Sequence, residues 1–191
     1  MVFAGILLTT KLLLIAMPDA ATQSGQDVSA TSDVETASAQ DIDRFRGRYQ
    51  PVDAKNQAKA VGAAIDSSLS SVNVLIRWRA AQLLRQNNGI APEITISTQG
   101  DKVLVMTPLR KAWWTDLRGK PRGITTRNGV KATLGRRIES GQLIERFVSE
   151  RGVRSHRISL HQDGRLMFWQ VTVESKELTK PIRYTLKYRR R

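Results

Sequence analysis

From Glu93 to the C-terminus, apolar and polar residues alternate with period two, and turn residues interrupt the alternation at intervals of roughly ten positions. The turn markers are Gly100-Asp101, Gly119, Asn128-Gly129, Gly141, Gly152 and Asp163-Gly164. Strands joined by such short turns can only pair antiparallel with their neighbours. Ile94 and Ile96, Val103 and Val105, and Ile158 and Leu160 mark one face. Met167, Trp169, Val171 and Val173 share a face in the next strand, and Ile182, Tyr184, Leu186 and Tyr188 in the last, where Arg183, Thr185, Lys187 and Arg189 point the other way. About eight to ten strands with one apolar face must bury it, and closure removes the exposed edges. The expectation is a mainly β (α+β) fold, an antiparallel meander closing into a barrel or a strongly curved sheet.

Ahead of the strands the period changes. Asp53 offers an N-cap, Gly89 a stop with Pro92 beyond it, and Val61, Ile65, Leu69, Val72, Ile76 and Leu83 recur at steps of three, four and seven. This predicts one long amphipathic helix over Ala54–Asn88, about 50 Å in length, unless Gly62 or the Ser67–Ser71 cluster divides it. Its apolar face is expected to pack on the barrel as a lid.

The segment Thr22–Asp43 carries Asp27, Asp33, Glu35, Asp41 and Asp43, with no Lys, Arg or aromatic residue. Such a composition cannot offset its ordering entropy by burial, so residues 22–43 read as an acidic disordered linker. Ile6–Met17 is apolar apart from a few residues including Lys11, and Pro18, Asp19, Ala20 and Ala21 follow. Residues 1–21 therefore read as a signal peptide, cleaved between about residues 16 and 24, which places the protein in a periplasm or outside the cell. Its charge is uneven. The chain carries +14; Lys11 and Asp19 cancel, and the linker's −5 leaves +19 on the domain 44–191.

Phe45-Arg46-Gly47-Arg48-Tyr49 resembles the F-x-G-x-W/Y opening of the calycin superfamily, the lipocalins and fatty-acid-binding proteins. The order of parts is similar too: an opening strand, a helical segment, a first hairpin over Pro92–Val103 and a closing strand over Ile182–Tyr188. The resemblance covers residues 45–191 in layout and implies a calycin-like barrel that holds an apolar ligand. Two departures stand out. Fatty-acid-binding proteins hold a carboxylate with an inward Arg-x-Tyr pair on the last strand, whereas Ile182 precedes Tyr184 here, Leu186 precedes Tyr188, and Arg183 points out. The helix is also longer than that family's helix-turn-helix lid.

The chemistry-bearing residues suggest binding and not catalysis. There is no cysteine, hence no disulfide, thiolate metal site or cysteine nucleophile. His156 and His161 are the only histidines, and alternation sends them to opposite faces, so no metal pair is expected. His156 shares its face with Ile158 and Leu160, as a hydrogen-bonded core histidine or a ligand contact. No phosphate loop, nucleophile elbow or acid pair is apparent, and no cofactor is implied. Glu139, Glu145, Glu150, Asp163, Glu174 and Glu177 read as scattered.

Two functions compete. In the first, an exported barrel holds a small amphipathic or lipid-like ligand with an anionic head, its site formed by Trp169, Tyr184, Tyr188 and His156, whose polar atoms need partners. In the second, the core is packed and a basic surface docks on an anionic polymer: nucleic acid, membrane or envelope. That surface would come from the tract Arg110–Arg137, nine basic residues against Asp116, with Arg118, Lys120, Arg122, Arg127 and Trp114 as contacts. Trp113 and Trp114, as strand neighbours, are expected on opposite faces.

Overall fold

A computed structural model describes residues 39–191. The expected signal peptide and the expected linker as far as residue 38 lie outside the described residues. The elements in chain order are α1 (Ala39–Asp43), β1 (Gly47–Pro51), α2 (Ala54–Ser68), α3 (Val74–Asn87), β2 (Ile94–Gln99), β3 (Lys102–Met106) and β4 (Trp114–Asp116). They continue with β5 (Arg122–Thr125), β6 (Lys131–Glu139), β7 (Gln142–Ser149), β8 (Gly152–Leu160), β9 (Leu166–Glu174) and β10 (Ile182–Arg190).

The ten strands form one antiparallel sheet in the order β4-β3-β2-β1-β10-β9-β8-β7-β6-β5, a meander whose last strand returns to pair with the first. The sheet curls into a nearly closed barrel. Only β4 and β5, neighbours in sequence, do not pair, and a single bridge from Arg118 to Arg137 on β6 spans that gap. The inward sets follow the alternation: Ile94, Ile96, Val103, Val105, Ile158, Met167, Trp169, Val171, Ile182, Leu186 and Tyr188 are all buried. One turn shows why glycine is needed. Gly152 has φ of +146°, and a Cβ there would stand 2.0 Å from the Glu174 carbonyl oxygen, so no larger residue fits without moving β9.

Three expectations need correction. The helical segment is two helices: α2 ends at Ser68, whose hydroxyl donates to the Ala64 carbonyl at 2.9 Å, a bond that weakens the end of a helix. Arg77 then binds the carbonyls of Ser70 and Val72, at 2.7 and 2.9 Å from Nη2, and Asn73 caps α3 by accepting from the Leu75 amide. The departure from a helix-turn-helix lid therefore disappears. The break also resets the helical phase, so Ile65 and Leu69 are buried and Val72 half-buried, while Ile76 is 62 % exposed. The domain also begins earlier than residue 44. Ala39–Asp43 is helical, Ile42 and Phe45 are fully buried, Thr98 donates to Asp43, and Arg44 donates to the Gly141 carbonyl. Apolar Ile42, beyond the reach of a composition average, anchors this last stretch of the acidic segment against the barrel.

Helix α2 lies along the part of β10 that β1 does not reach. The Gln57 side chain accepts from the Lys187 amide at 2.6 Å and donates to its carbonyl at 3.1 Å, substituting for a missing strand. Tyr49 and Phe45 of the opening motif are both fully buried, and the Tyr49 hydroxyl donates to the Phe45 carbonyl at 2.7 Å. One end of the barrel is thereby filled, and the other is where the candidate site lies.

Candidate functional site

The connections β3–β4, β5–β6, β7–β8 and β9–β10 fall at the same end of an antiparallel meander. There they surround, together with the C-terminus of α3, a cavity of about 760 Å³ that runs into the barrel. That volume suits a small organic molecule. Ile94, Leu109, Phe147, Trp169, Val171 and Leu186 give it apolar walls. The interior is thus packed at the α1 end and hollow at the other.

A row of polar groups crosses this apolar interior along one line of register. Arg136 on β6 faces Glu145 on β7, which faces His156 on β8, then Val171 on β9 and Tyr184 on β10. Arg136 and Glu145 form a two-point ion pair, 2.6 Å through Nε and 2.5 Å through Nη2, with side chains 2 % and 1 % exposed. The remaining Arg136 nitrogen donates to the Trp113 carbonyl at 2.8 Å and the Thr115 hydroxyl at 2.9 Å. Burial alone would raise the Glu145 carboxyl, but Arg136, His156 and Arg110 overcome it and hold the group well below the usual carboxylate range.

His156 is fixed in one tautomer by its neighbours. Arg154 Nε can only donate, so His156 Nε2 accepts from it at 3.1 Å, and Nδ1 carries the proton shared with Glu145 at 2.7 Å. Burial in the first place pushes the ring down to about 3, with Arg110 and Arg154 adding repulsion and Glu145 opposing it. The ring is neutral at physiological pH with both nitrogens occupied, so it offers no free base to a reacting group. Among the described residues, no cluster of ligating side chains suits a metal.

Arg154 holds the end of α3. Its Nη1 donates to the Asn87 carbonyl at 3.1 Å, and its Nη2 to the Asn88 side chain at 2.6 Å and the Tyr184 hydroxyl at 3.1 Å. The Tyr184 hydroxyl in turn donates to Asn88 Oδ1 at 3.0 Å. The Asn87 carbonyl at the end of α3 is thereby satisfied from inside the barrel. Arg110 differs. Its guanidinium lies 5.7 Å from the rings of both Phe147 and Trp169 and 3.8 Å from Glu145, yet makes no hydrogen bond among the described residues. Its side chain keeps 35 % of its surface accessible because it borders the open cavity. Enclosure by protein nevertheless pushes its pKa down to about 10.

All four residues expected inside, Trp169, Tyr184, Tyr188 and His156, line the cavity. Tyr188 is the most enclosed tyrosine of the site, and burial pushes it up to about 12. His161 lies just past the end of β8, exposed, 3.3 Å from Asp163. Arg110, Arg136, Glu145 and Arg154 were not foreseen, although Arg136 shares the parity of Leu134 and Ile138, and Glu145 that of Leu143 and Phe147. The basic tract is consequently not one surface, since Arg110 and Arg136 turn inward. Arg118 is exposed but engaged by Asp116 at 2.6 Å and Asp101 at 3.3 Å. Lys120 and Arg122 are exposed, Arg122 donating to the Trp114 carbonyl at 3.0 Å. Arg127 stands at the cavity rim, where Trp113 also lines the opening, while Trp114 is half-buried in β4.

No family model and no curated protein matches the chain. Solved structures do. A secretary abundant heat soluble protein from Ramazzottius varieornatus is similar at 13 % identity and TM-score 0.52, covering 78 % of this chain and 96 % of that one. A mutant of the fluorescent protein UnaG is similar at 15 % identity and TM-score 0.51, over 78 % and 98 %. Lipid binding protein 8 of Caenorhabditis elegans follows at 14 % identity and TM-score 0.49, over 78 % and 97 %. The fold is a calycin-like barrel.

Proposed function

We propose that this calycin-like barrel is an exported carrier of a small amphipathic molecule, with the ligand's anionic head held beside Arg110 and its apolar part against Phe147 and Trp169. The observation that carries the reading is the Arg110 guanidinium, enclosed by aromatic rings, open to a cavity and without a hydrogen-bonded partner. A half-buried guanidinium without a hydrogen-bonded partner is completed by an anion in the cavity it faces. The expectation of binding rather than catalysis rests on the same geometry, in which the one buried histidine has both nitrogens engaged.

The test compares oleate with oleyl alcohol on the full-length protein and on its Arg110→Leu variant. Charged hydrogen bonds contribute about 1.5–3 kcal/mol, so the variant is expected to bind oleate about 10- to 100-fold more weakly and the alcohol nearly unchanged. Failure of the unsubstituted protein to bind either molecule would overturn the proposal. Export rests on the apolar run Ile6–Met17. N-terminal sequencing of protein from its own host is expected to start between about residues 17 and 25, and an intact Met1 in a cytoplasmic fraction would refute export.

A further inference from the structure

The charges that turn into the barrel do not balance, and the imbalance specifies the head group. Arg110, Arg136 and Arg154 bring three positive charges to the interior, and Glu145 brings one negative charge. Glu145 is matched by Arg136 through two short contacts, and His156 is neutral as the Nδ1 tautomer. Two guanidiniums remain, those of Arg110 and Arg154, and both line the cavity. Arg154 touches only neutral acceptors: His156, the Asn87 carbonyl, Asn88 and Tyr184. Arg110 reaches Glu145 only at 3.8 Å, across the carboxylate already bound to Arg136 and His156. Both guanidiniums are half-buried at the cavity and together exceed the one carboxylate beside them, so a filled site is expected to supply two negative charges.

Resting on the reading of the cavity as a ligand site, we infer that the natural ligand is a dianionic amphiphile, a phosphate monoester on an apolar tail, whose head lies between Arg110 and Arg154. A carboxylate would leave one guanidinium uncompensated. A phosphate monoester offers three oxygens and, above about pH 6, a second charge. Arg110 supplies the direct hydrogen bonds, since its own are unused, and Arg154 supplies the second charge and its remaining Nη1 proton. Leu109, Val130, Ala132, Val153 and Val173 line the path for the tail toward the mouth.

Decyl phosphate, decyl sulfate and decanoate share one tail and differ in head charge and shape, and calorimetric titration of the full-length protein separates them. At about pH 8 decyl phosphate is expected to bind about tenfold more tightly than either monoanion, and at about pH 5 within about twofold of decyl sulfate. The groups facing the head are Arg110 and Lys111 from the β3–β4 loop, Arg136, Glu145, Arg154 and His156 from the strands, and Tyr184 and Tyr188 from β10, with Arg127, Arg151 and Glu174 at the rim. Glu145 stays charged and His156 neutral throughout that range, so the change reports the phosphate's own second proton. In the Arg154→Gln variant, checked for folding by circular dichroism, the preference for phosphate is expected to vanish. Equal binding of decyl phosphate and decyl sulfate at about pH 8 would overturn the dianion assignment and leave the ligand site standing. No binding of any of the three would overturn both.

Discussion

Replacing Glu145 by Leu is expected to cost about 3–5 kcal/mol of stability, a large share of the roughly 5–15 kcal/mol that holds an ordinary domain together. The variant leaves Arg136, 2 % exposed, with no carboxylate, and removes the acceptor that His156 donates to. Removing one partner of a buried pair is worse than removing both, because the survivor keeps its desolvation penalty. The double variant Glu145→Leu/Arg136→Leu is therefore expected to recover much of the loss. Urea unfolding of the three proteins checks this, and a loss below about 1 kcal/mol in the single variant would show that the pair does not stabilise the barrel.

The same cluster makes the fold acid-labile, with a predictable sign. His156 is pushed from about 6.5 down to about 3, so the unfolded chain takes up a proton that the folded barrel refuses; stability falls as pH drops through that interval. Glu145, held well below its ordinary value near 4.3, adds stability that is present above about pH 4.3 and lost as pH falls further. Both slopes run the same way. Unfolding free energy is expected to begin declining near pH 6, and in a His156→Gln variant only near pH 4. A flat profile between about pH 6 and 4 in the parent protein would contradict the buried neutral histidine.

Tyr188→Ala is expected to cost about 3–5 kcal/mol and to change the cavity as well. The ring is 1 % exposed and packs at 6.3 Å from Trp169, so its removal leaves a void that the surrounding strands cannot close. From the alternation alone, a solid core and a hollow barrel would predict different costs for this change. The structure makes the two compatible, because Tyr188 is fully packed and yet stands where the packed end meets the cavity. Energy transfer from Trp169 to a bound apolar fluorophore is expected to shift in the variant as the cavity grows. A stability loss under about 1 kcal/mol would mean that the residue is not packed as described.

Strand parity was legible because it is local. Side chains two apart point the same way in any strand, so Met167, Trp169 and Val171, or Ile182, Tyr184, Leu186 and Tyr188, declare their face within a few residues. The same parity placed Arg136 and Glu145 inward, but charge argues for exposure when each residue is judged alone, and the partner that would justify burial was not visible. The helix break was legible only as an alternative, since serine clusters weaken a helix without forbidding it.

By itself, the sequence determined the antiparallel meander, its inward faces, its turns and the four residues Trp169, Tyr184, Tyr188 and His156 that line the cavity. Only the tertiary structure decided that the barrel closes with one end filled by α1 and the other hollow, and that Arg110, Arg136, Glu145 and Arg154 meet inside it. The physical reason is range. Facing is set by backbone geometry over two residues, whereas burying a charge depends on a partner elsewhere in the chain, as with Arg154 and Asn88, 66 positions apart and 2.6 Å from each other.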